Sequence, residues 1–360
     1  MRRITWIAAI VMCAAIMLAG CGKKDAAAVL KDLDHVVSKL ESYQGTGTMM
    51  LHTGQQPQEY QVDVWYQNPS YYRIALKNAK KDITQIVLRN DEGVFVLTPS
   101  LNKSFRFQSD WPEKQGQVYL YQTLIHSILA DSSRQFATEK DSYVFDVAAN
   151  YQTASLVRQK IWLSKENYAP QQVQVSDANA NVVVEVKFNQ FEFDKKFDKD
   201  SFEMQRNMTS MNVTTLPTVS QVDENGNPID DGSVSIPQDQ LAGKTQELGS
   251  FGIIEPAYTP EGVKLHDTQQ IKNAADHSVL LRYSGTYNYT LRESRPQDME
   301  VSMTPGTLLF LGHTVGHLSG DELKTLAWTY DGIEYRLTSA DLPQDEMINI
   351  AASLQDQPGK

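Results

Sequence analysis

A handful of residues in this chain are of the types that do chemistry, and their spacing decides what they could do. His313, His317 and Asp321 follow at intervals of four, which on a helix would align three metal ligands on one face. Leu308 to Leu311 reads as a strand, however, and Gly312 and Gly316 disfavour a helix, so a strand and loop with surface histidines is expected. The acidic run from Asp223 to Asp231 has its glycine at the fourth place instead of the sixth, followed by a proline, and so reads as solvated linker and not as a calcium loop. There is no Gly-rich phosphate loop, no His-Glu-x-x-His, no Gly-x-Ser-x-Gly and no dinucleotide fingerprint. Cys13 and Cys21 both lie near the start, and two thiols make neither a disulfide scaffold nor a four-thiolate zinc site. The expectation is a protein that is not an enzyme, with no catalytic residues, no cofactor and no metal.

Composition narrows the partners. The 360 residues carry 44 acidic against 33 basic side chains, a formal net charge of -11. Nucleic acid is thereby excluded, because its binders need basic patches that displace counterions from phosphate. With 41% hydrophobic residues, the chain is long enough for two domains, each with its own core.

At the N-terminus, Arg2 and Arg3 precede an apolar stretch from Ile4 to Leu18, and Leu18-Ala19-Gly20-Cys21 follows. The stretch is short of the roughly 20 apolar residues that cross a bilayer as a helix, and small residues sit at a cleavage position. Leu-Ala-Gly-Cys resembles the lipobox of bacterial lipoproteins. The resemblance implies a signal peptide at residues 1–20, a diacylglycerol on the Cys21 thiol, and a lipid-anchored (palmitate-type) protein on the extracytoplasmic face of the cell membrane. Loss of the signal removes Arg2 and Arg3 and takes the net charge from -11 to -13, so attachment rests on the lipid and not on charge.

The elements that must position any site follow from periodicity. Val29, Leu33, Val36, Val37 and Leu40 recur at helical spacing between Asp25 and Tyr43, with Gly45 and Gly47 expected to end that helix. Alternating segments then predict an antiparallel meander. It has strands around 60–66, 72–77, 83–89, 93–98 and 103–107, a helix around Val118 to Leu129, and strands near 142–148, 156–163, 171–176 and 181–193. Periodicity is lost from about 205 to 248, giving a linker at 206–248 between a body at 21–205 and a smaller one at 249–360. The smaller body shows strands near 278–283, 286–292, 298–303 and 308–312. A hairpin turns at Asp331-Gly332, and a short helix opens at Pro343. The fold class is mainly β with α (α+β).

The first body is rich in apolar side chains: Trp65, Tyr72, Ile74, Leu76, Ile86, Leu88, Phe95, Leu97, Phe105, Phe107, Leu124, Phe145 and Trp162. A sheet with helices on one face buries such residues as core. A sheet curved into an incomplete barrel uses the same residues to line a pocket for an acyl chain. Periodicity leaves both readings open.

Trp65 to Arg73, including Asn68-Pro69-Ser70 and Tyr72-Arg73, is followed by Asn90-Asp91-Glu92-Gly93, then Phe95, Leu97 and Pro99. Phe191-Glu192-Phe193 and Asp200-Ser201-Phe202 close the region. In order and spacing these elements resemble the LolA family of outer-membrane lipoprotein carriers. The resemblance implies a strongly curved antiparallel half-barrel covered by helices, an apolar concavity for lipid, and a lid contact through Arg73. The carriers are soluble, whereas Cys21 tethers this chain. Gly312, Gly316, Leu326-Ala327-Trp328, Gly332, Tyr335, Leu337 and Ala351 to Leu354 are similar to DUF4367, implying a smaller α+β domain with a β-hairpin and C-terminal helix. Together these features resemble the sporulation lipoproteins of bacilli. They imply a lipoprotein that binds a lipid or lipidated peptide in sporulation or the spore envelope, or a protein-interaction scaffold of the sporulation or germination envelope with a filled, non-binding barrel and an envelope protein as partner.

Overall fold

The computed structural model describes residues 24–52, 56–80, 83–101, 103–107, 117–151, 156–209, 252–271, 278–295, 306–311 and 314–354, with the backbone alone at Phe105, Phe107 and Phe310. Cys21, His313 and most of the stretch read as linker lie outside them. The chain forms two compact units, Met1–Lys39 and Leu40–Lys360. In the first, helix α1 (Ala26–Ser38) is capped by Asp25, whose side chain accepts from Ala28 N–H at 2.8 Å. Lys24 and Asp32 pair at 2.6 Å, and Val29 and Leu33 form its buried stripe. No helix among the described residues is long and apolar enough to cross a membrane.

The second unit holds two antiparallel sheets. One is a curved, unclosed sheet of 11 strands in the order β6-β5-β4-β3-β2-β1-β11-β10-β9-β8-β7. Its strands are β1 (Ser42–Leu51), β2 (Gln58–Gln67), β3 (Tyr71–Asn78), β4 (Thr84–Asn90), β5 (Gly93–Thr98) and β6 (Lys103–Phe107), then β7 (Gln135–Thr138), β8 (Ser142–Ala148), β9 (Arg158–Ser164), β10 (Pro170–Ser176) and β11 (Val182–Phe193). Helix α2 (Tyr121–Ala130) lies between β6 and β7 in sequence, and the short α3 (Met204–Thr209) follows β11. Helix α3 extends into the stretch read from sequence as linker.

The meander was legible in the alternation, but β1 was not. Gly45 and Gly47 do not end the first helix; they lie inside β1, and the helix stops at Ser38. They are small because β11 comes close: a Cβ on Gly47 would stand 2.2 Å from the Lys187 carbonyl oxygen, and one on Gly45 would stand 2.8 Å from the Phe191 ring. The β1–β11 register shifts at Thr46/Gly47, which bends the ladder there. Gly47→Ala is expected to cost about 1–3 kcal/mol in urea unfolding, because backbone must move aside. A Thr46→Ala control should stay near the parent, and an equally small effect at Gly47 would show that β11 yields freely.

The other sheet has seven strands in the order β12-β13-β14-β18-β17-β16-β15. They are β12 (Lys264–Gln270), β13 (Val279–Ser284), β14 (Tyr289–Ser294), β15 (Thr307–Phe310), β16 (Val315–Ser319), β17 (Lys324–Tyr330) and β18 (Ile333–Ser339). The β17–β18 hairpin turns through Asp331 and Gly332 at φ 53 and 71, the left-handed pair that an Asp-Gly turn supplies. Helix α4 (Gln344–Ser353) buries Met347, Ile350 and Ala351 in a core with Leu281, Leu291, Trp328 and Leu337. His317 is on β16 opposite Leu308 and Ala327. It is buried and not a surface histidine, because the backbone at Gly306 packs on its ring, where a Cβ would stand 2.3 Å from Nε2.

The two sheets meet through buried polar groups. Gln85 on β4 accepts from Thr314 Oγ1 at 2.9 Å and from the Val315 N–H at 3.1 Å, and Gln58 on β2 accepts from Tyr330 Oη at 3.4 Å. A small cavity of about 30 Å³ remains beside these contacts.

Candidate functional site: two faces of the large sheet

Cross-strand register decides which side chains share a face. Tyr43, Tyr66 and Tyr72 are paired across β1, β2 and β3 and so point the same way. Counting alternately along each strand places Ile74, Leu76, Phe145 and Ile161 on that face, together with the backbone positions Phe105 and Phe107. Trp65, Arg73, Ile86, Leu88, Phe95, Leu97 and Trp162 point to the other. The apolar residues expected to line one concavity are therefore divided between two surfaces. Alternation reads the face of each strand but not which faces coincide between strands.

The first face carries α2. Tyr43, Tyr66 and Tyr72 form a ladder with ring centroids 5.4 and 5.0 Å apart, and Phe191 stacks on Tyr43 at 5.0 Å. Leu120, which precedes helix α2, gives it no side-chain cap. The sheet supplies one instead: Tyr43 Oη accepts from the Tyr121 N–H at 3.3 Å and donates to Gln122 Oε1 at 2.9 Å. Gln122 Nε2 donates to Tyr72 Oη at 3.2 Å. Burial, the largest cause, pushes the Tyr43 phenol well above its ordinary value, so it remains a neutral donor. Tyr121, Leu124, Ile125 and Ile128 on α2 are each 0% exposed, as are Ile74, Phe145 and Ile161 beneath. The face is filled by the protein's own side chains.

The opposite face has its own cover. Phe202, with Phe197, Met204 and Met208 at its margin, packs on Ala75, Ile86, Leu88, Phe95 and Leu97. Arg73 is the centre of this seam. Its Nε donates to Asn207 Oδ1 at 2.6 Å and its Nη1 to Asp63 Oδ2 at 2.9 Å, while its guanidinium stands 4.3 Å over the Trp65 ring. Phe197 stacks on the indole at 5.2 Å. Asn207 uses its amide to reach the Ser201 and Glu203 carbonyls at 3.0 and 2.8 Å. Arg73 thus holds α3 against the face away from α2, which is a different cover from the lid over a lipid concavity that the family resemblance implied.

Trp162 joins neither cluster; it sits under Lys160, whose Nζ is 4.8 Å from the ring, and donates to Glu139 at 3.3 Å. Among the described residues no group of His, Cys, Asp and Glu is placed to hold a metal.

A family model described as sporulation protein YdcC-like matches residues 1–202. The sporulation protein YdcC of Bacillus subtilis (strain 168) is 38% identical over 351 residues, covering 96% of this chain and 95% of that protein. The chain belongs to the YdcC-like sporulation protein family. A second model, the domain of unknown function DUF4367, matches residues 253–354, which contain the seven-stranded sheet of this YdcC-like chain. Similar solved structures include the MucA/MucB complex of Pseudomonas aeruginosa, at 12% identity and TM-score 0.32, covering 90% of this chain and 96% of that one. A LolA superfamily protein from Nitrosomonas europaea is also similar, at 10% identity and TM-score 0.29, covering 51% and 99%.

In this YdcC-like chain, sequence reasoning found Arg73 and Trp65 but missed Asp63 and Asn207, which complete their network. One signal was available: Arg73 lies between Tyr72 and Ile74, in an apolar stretch of strand where an unpaired cation is costly. Asn207 lies 134 positions away, and no local pattern names it.

Proposed function

We propose that the protein is an extracytoplasmic lipoprotein of the sporulating cell, anchored through Cys21, that works without catalysis as a scaffold for a protein partner. The observation that supports this reading is the filled α2 face, where Tyr121, Leu124, Ile125 and Ile128 are 0% exposed.

Magnitudes weigh against a resident lipid. Lifting α2 would expose four large side chains at ~1.5–3 kcal/mol each, roughly 6–12 kcal/mol. A chain of about 16 carbons, at ~0.8 kcal/mol per buried CH₂, returns roughly 12 kcal/mol. Association and ordering cost several kcal/mol more. A lipid therefore at best matches the helix it displaces, and α2 keeps the site.

A fluorescent fatty acid titrated into the protein should show no saturable signal. Saturable binding at micromolar concentration, with loss of α2 protection in hydrogen exchange, would replace this reading with lipid carriage. The anchor has its own test. Cys21→Ala should incorporate no labelled palmitate, and normal incorporation would overturn the assignment of Cys21.

A further inference from the structure

Beside the Arg73 seam, the β4–β5 turn and the segment leading into α3 enclose an open groove of about 660 Å³. Its walls are built. Asn90 Nδ2 donates to the Phe202 carbonyl at 3.0 Å, tying the turn to the segment, and Tyr71 Oη donates to Asp91 Oδ2 at 2.5 Å. Half-buried Tyr71 and Phe197, with buried Phe202, give it aromatic walls, with Tyr71 and Phe202 centroids 5.7 Å apart and Phe197 and Phe202 5.2 Å apart. Exposed Asp91, Glu92, Asp198 and Glu203 line it, with Lys199 the one cation of the lining and Arg106 donating to the Glu92 carbonyl at its edge. Asp198 is already paired with Arg206 at 3.1 Å. Asp91 already accepts from Tyr71, so Glu92 and Glu203 are the carboxylates that carry the argument.

We propose that this groove is the docking surface of the scaffold, and that its occupant is an extended, basic segment of a protein partner. The inference rests on the scaffold reading and names the partner's chemistry. Aromatic faces and carboxylates together suit Arg and Lys: the ring attracts the cation, and the carboxylate takes its N–H groups. The chain's own nearest candidate, residues 210–251, carries six carboxylates and one lysine, so charge sets it against the groove.

The test uses the full mature chain in a nonionic detergent. A fluorescein-labelled ten-residue peptide of alternating Arg and Ser is titrated by anisotropy, with its Glu-Ser counterpart as control. A chain this acidic attracts cations everywhere, so position must be isolated. Glu92→Gln with Glu203→Gln removes two groove charges, and Glu59→Gln with Glu166→Gln removes two exposed charges elsewhere. The groove pair should weaken binding about tenfold, a change appropriate to two charge-assisted contacts, and the remote pair less than about twofold. Equal weakening by both pairs, or no binding by the parent, would overturn the groove. Either result leaves the filled α2 face standing, which falls only if a lipid binds there.

Discussion

Arg73→Ala is expected to lower unfolding stability by about 3–5 kcal/mol. Arg73 is 7% exposed, and its guanidinium joins Asn207 on α3 to Asp63 on β2. Its removal leaves Asn207 Oδ1 buried without its donor and opens a void beside Trp65. Asp63 suffers less, because Trp65 Nε1 and Gln44 Nε2 still donate to it at 2.8 and 3.1 Å, and its side chain is 31% exposed. Arg73→Lys should recover only part of the loss, since one ammonium cannot reproduce a planar fork that serves Asn207, Asp63 and the indole together. Urea unfolding measures the total, and hydrogen exchange at 204–209 locates it. A loss below about 1 kcal/mol, or unchanged protection of α3, would mean that Phe202 and Met204 hold the segment without the arginine.

The second large effect depends on pH. Glu293 on β14 is 0% exposed in the smaller core; its Oε2 accepts from the Ile254 N–H at 3.1 Å, and its Oε1 has no hydrogen-bond partner. Burial, helped by the nearby Glu255 and only partly offset by the Ile254 N–H, pushes its carboxyl from 4.5 up to about 8. The folded state therefore binds a proton that the unfolded state has released. The stability linked to this group is fully present below about pH 4.5, falls as pH rises, and is gone above about pH 8. Glu293→Gln imitates the protonated acid, keeps an acceptor for Ile254 and does not titrate. Parent and variant should have similar stability at pH 5, with the variant ahead by a few kcal/mol at pH 9. A constant difference across that range would show that Glu293 does not carry the proton.

Much of this architecture was legible in the residues. Val184, Val186 and Phe188 alternate with Glu185, Lys187 and Asn189 because one side of β11 is the more buried, and Asp331-Gly332 marks its hairpin because few other pairs adopt its dihedrals. Pro343 opened α4 as expected. What was not legible has a physical cause in each case. Strand β1, Ser-Tyr-Gln-Gly-Thr-Gly-Thr-Met-Met-Leu, hides its pattern because two inward positions are glycines that admit β11. Strand β12 is exposed along its whole length and has no apolar face to reveal it. The division of the apolar residues between two faces depends on register, which hydrogen bonding between distant strands sets. Nothing beside Glu293 in the sequence marks it as buried, because burial is a property of the fold, not of its neighbours in sequence.

The central claim is that the α2 face is occupied by the chain's own side chains. The most direct measurement is solvent extraction and mass spectrometry of a secreted form beginning at Lys24, purified without detergent so that any non-covalent lipid is retained. An extract with no lipid in stoichiometric amount, from a protein whose α2 amides exchange slowly, is the expected result. One equivalent of a defined lipid per chain, lost together with protection of residues 121–130 when the sample is delipidated, would contradict it.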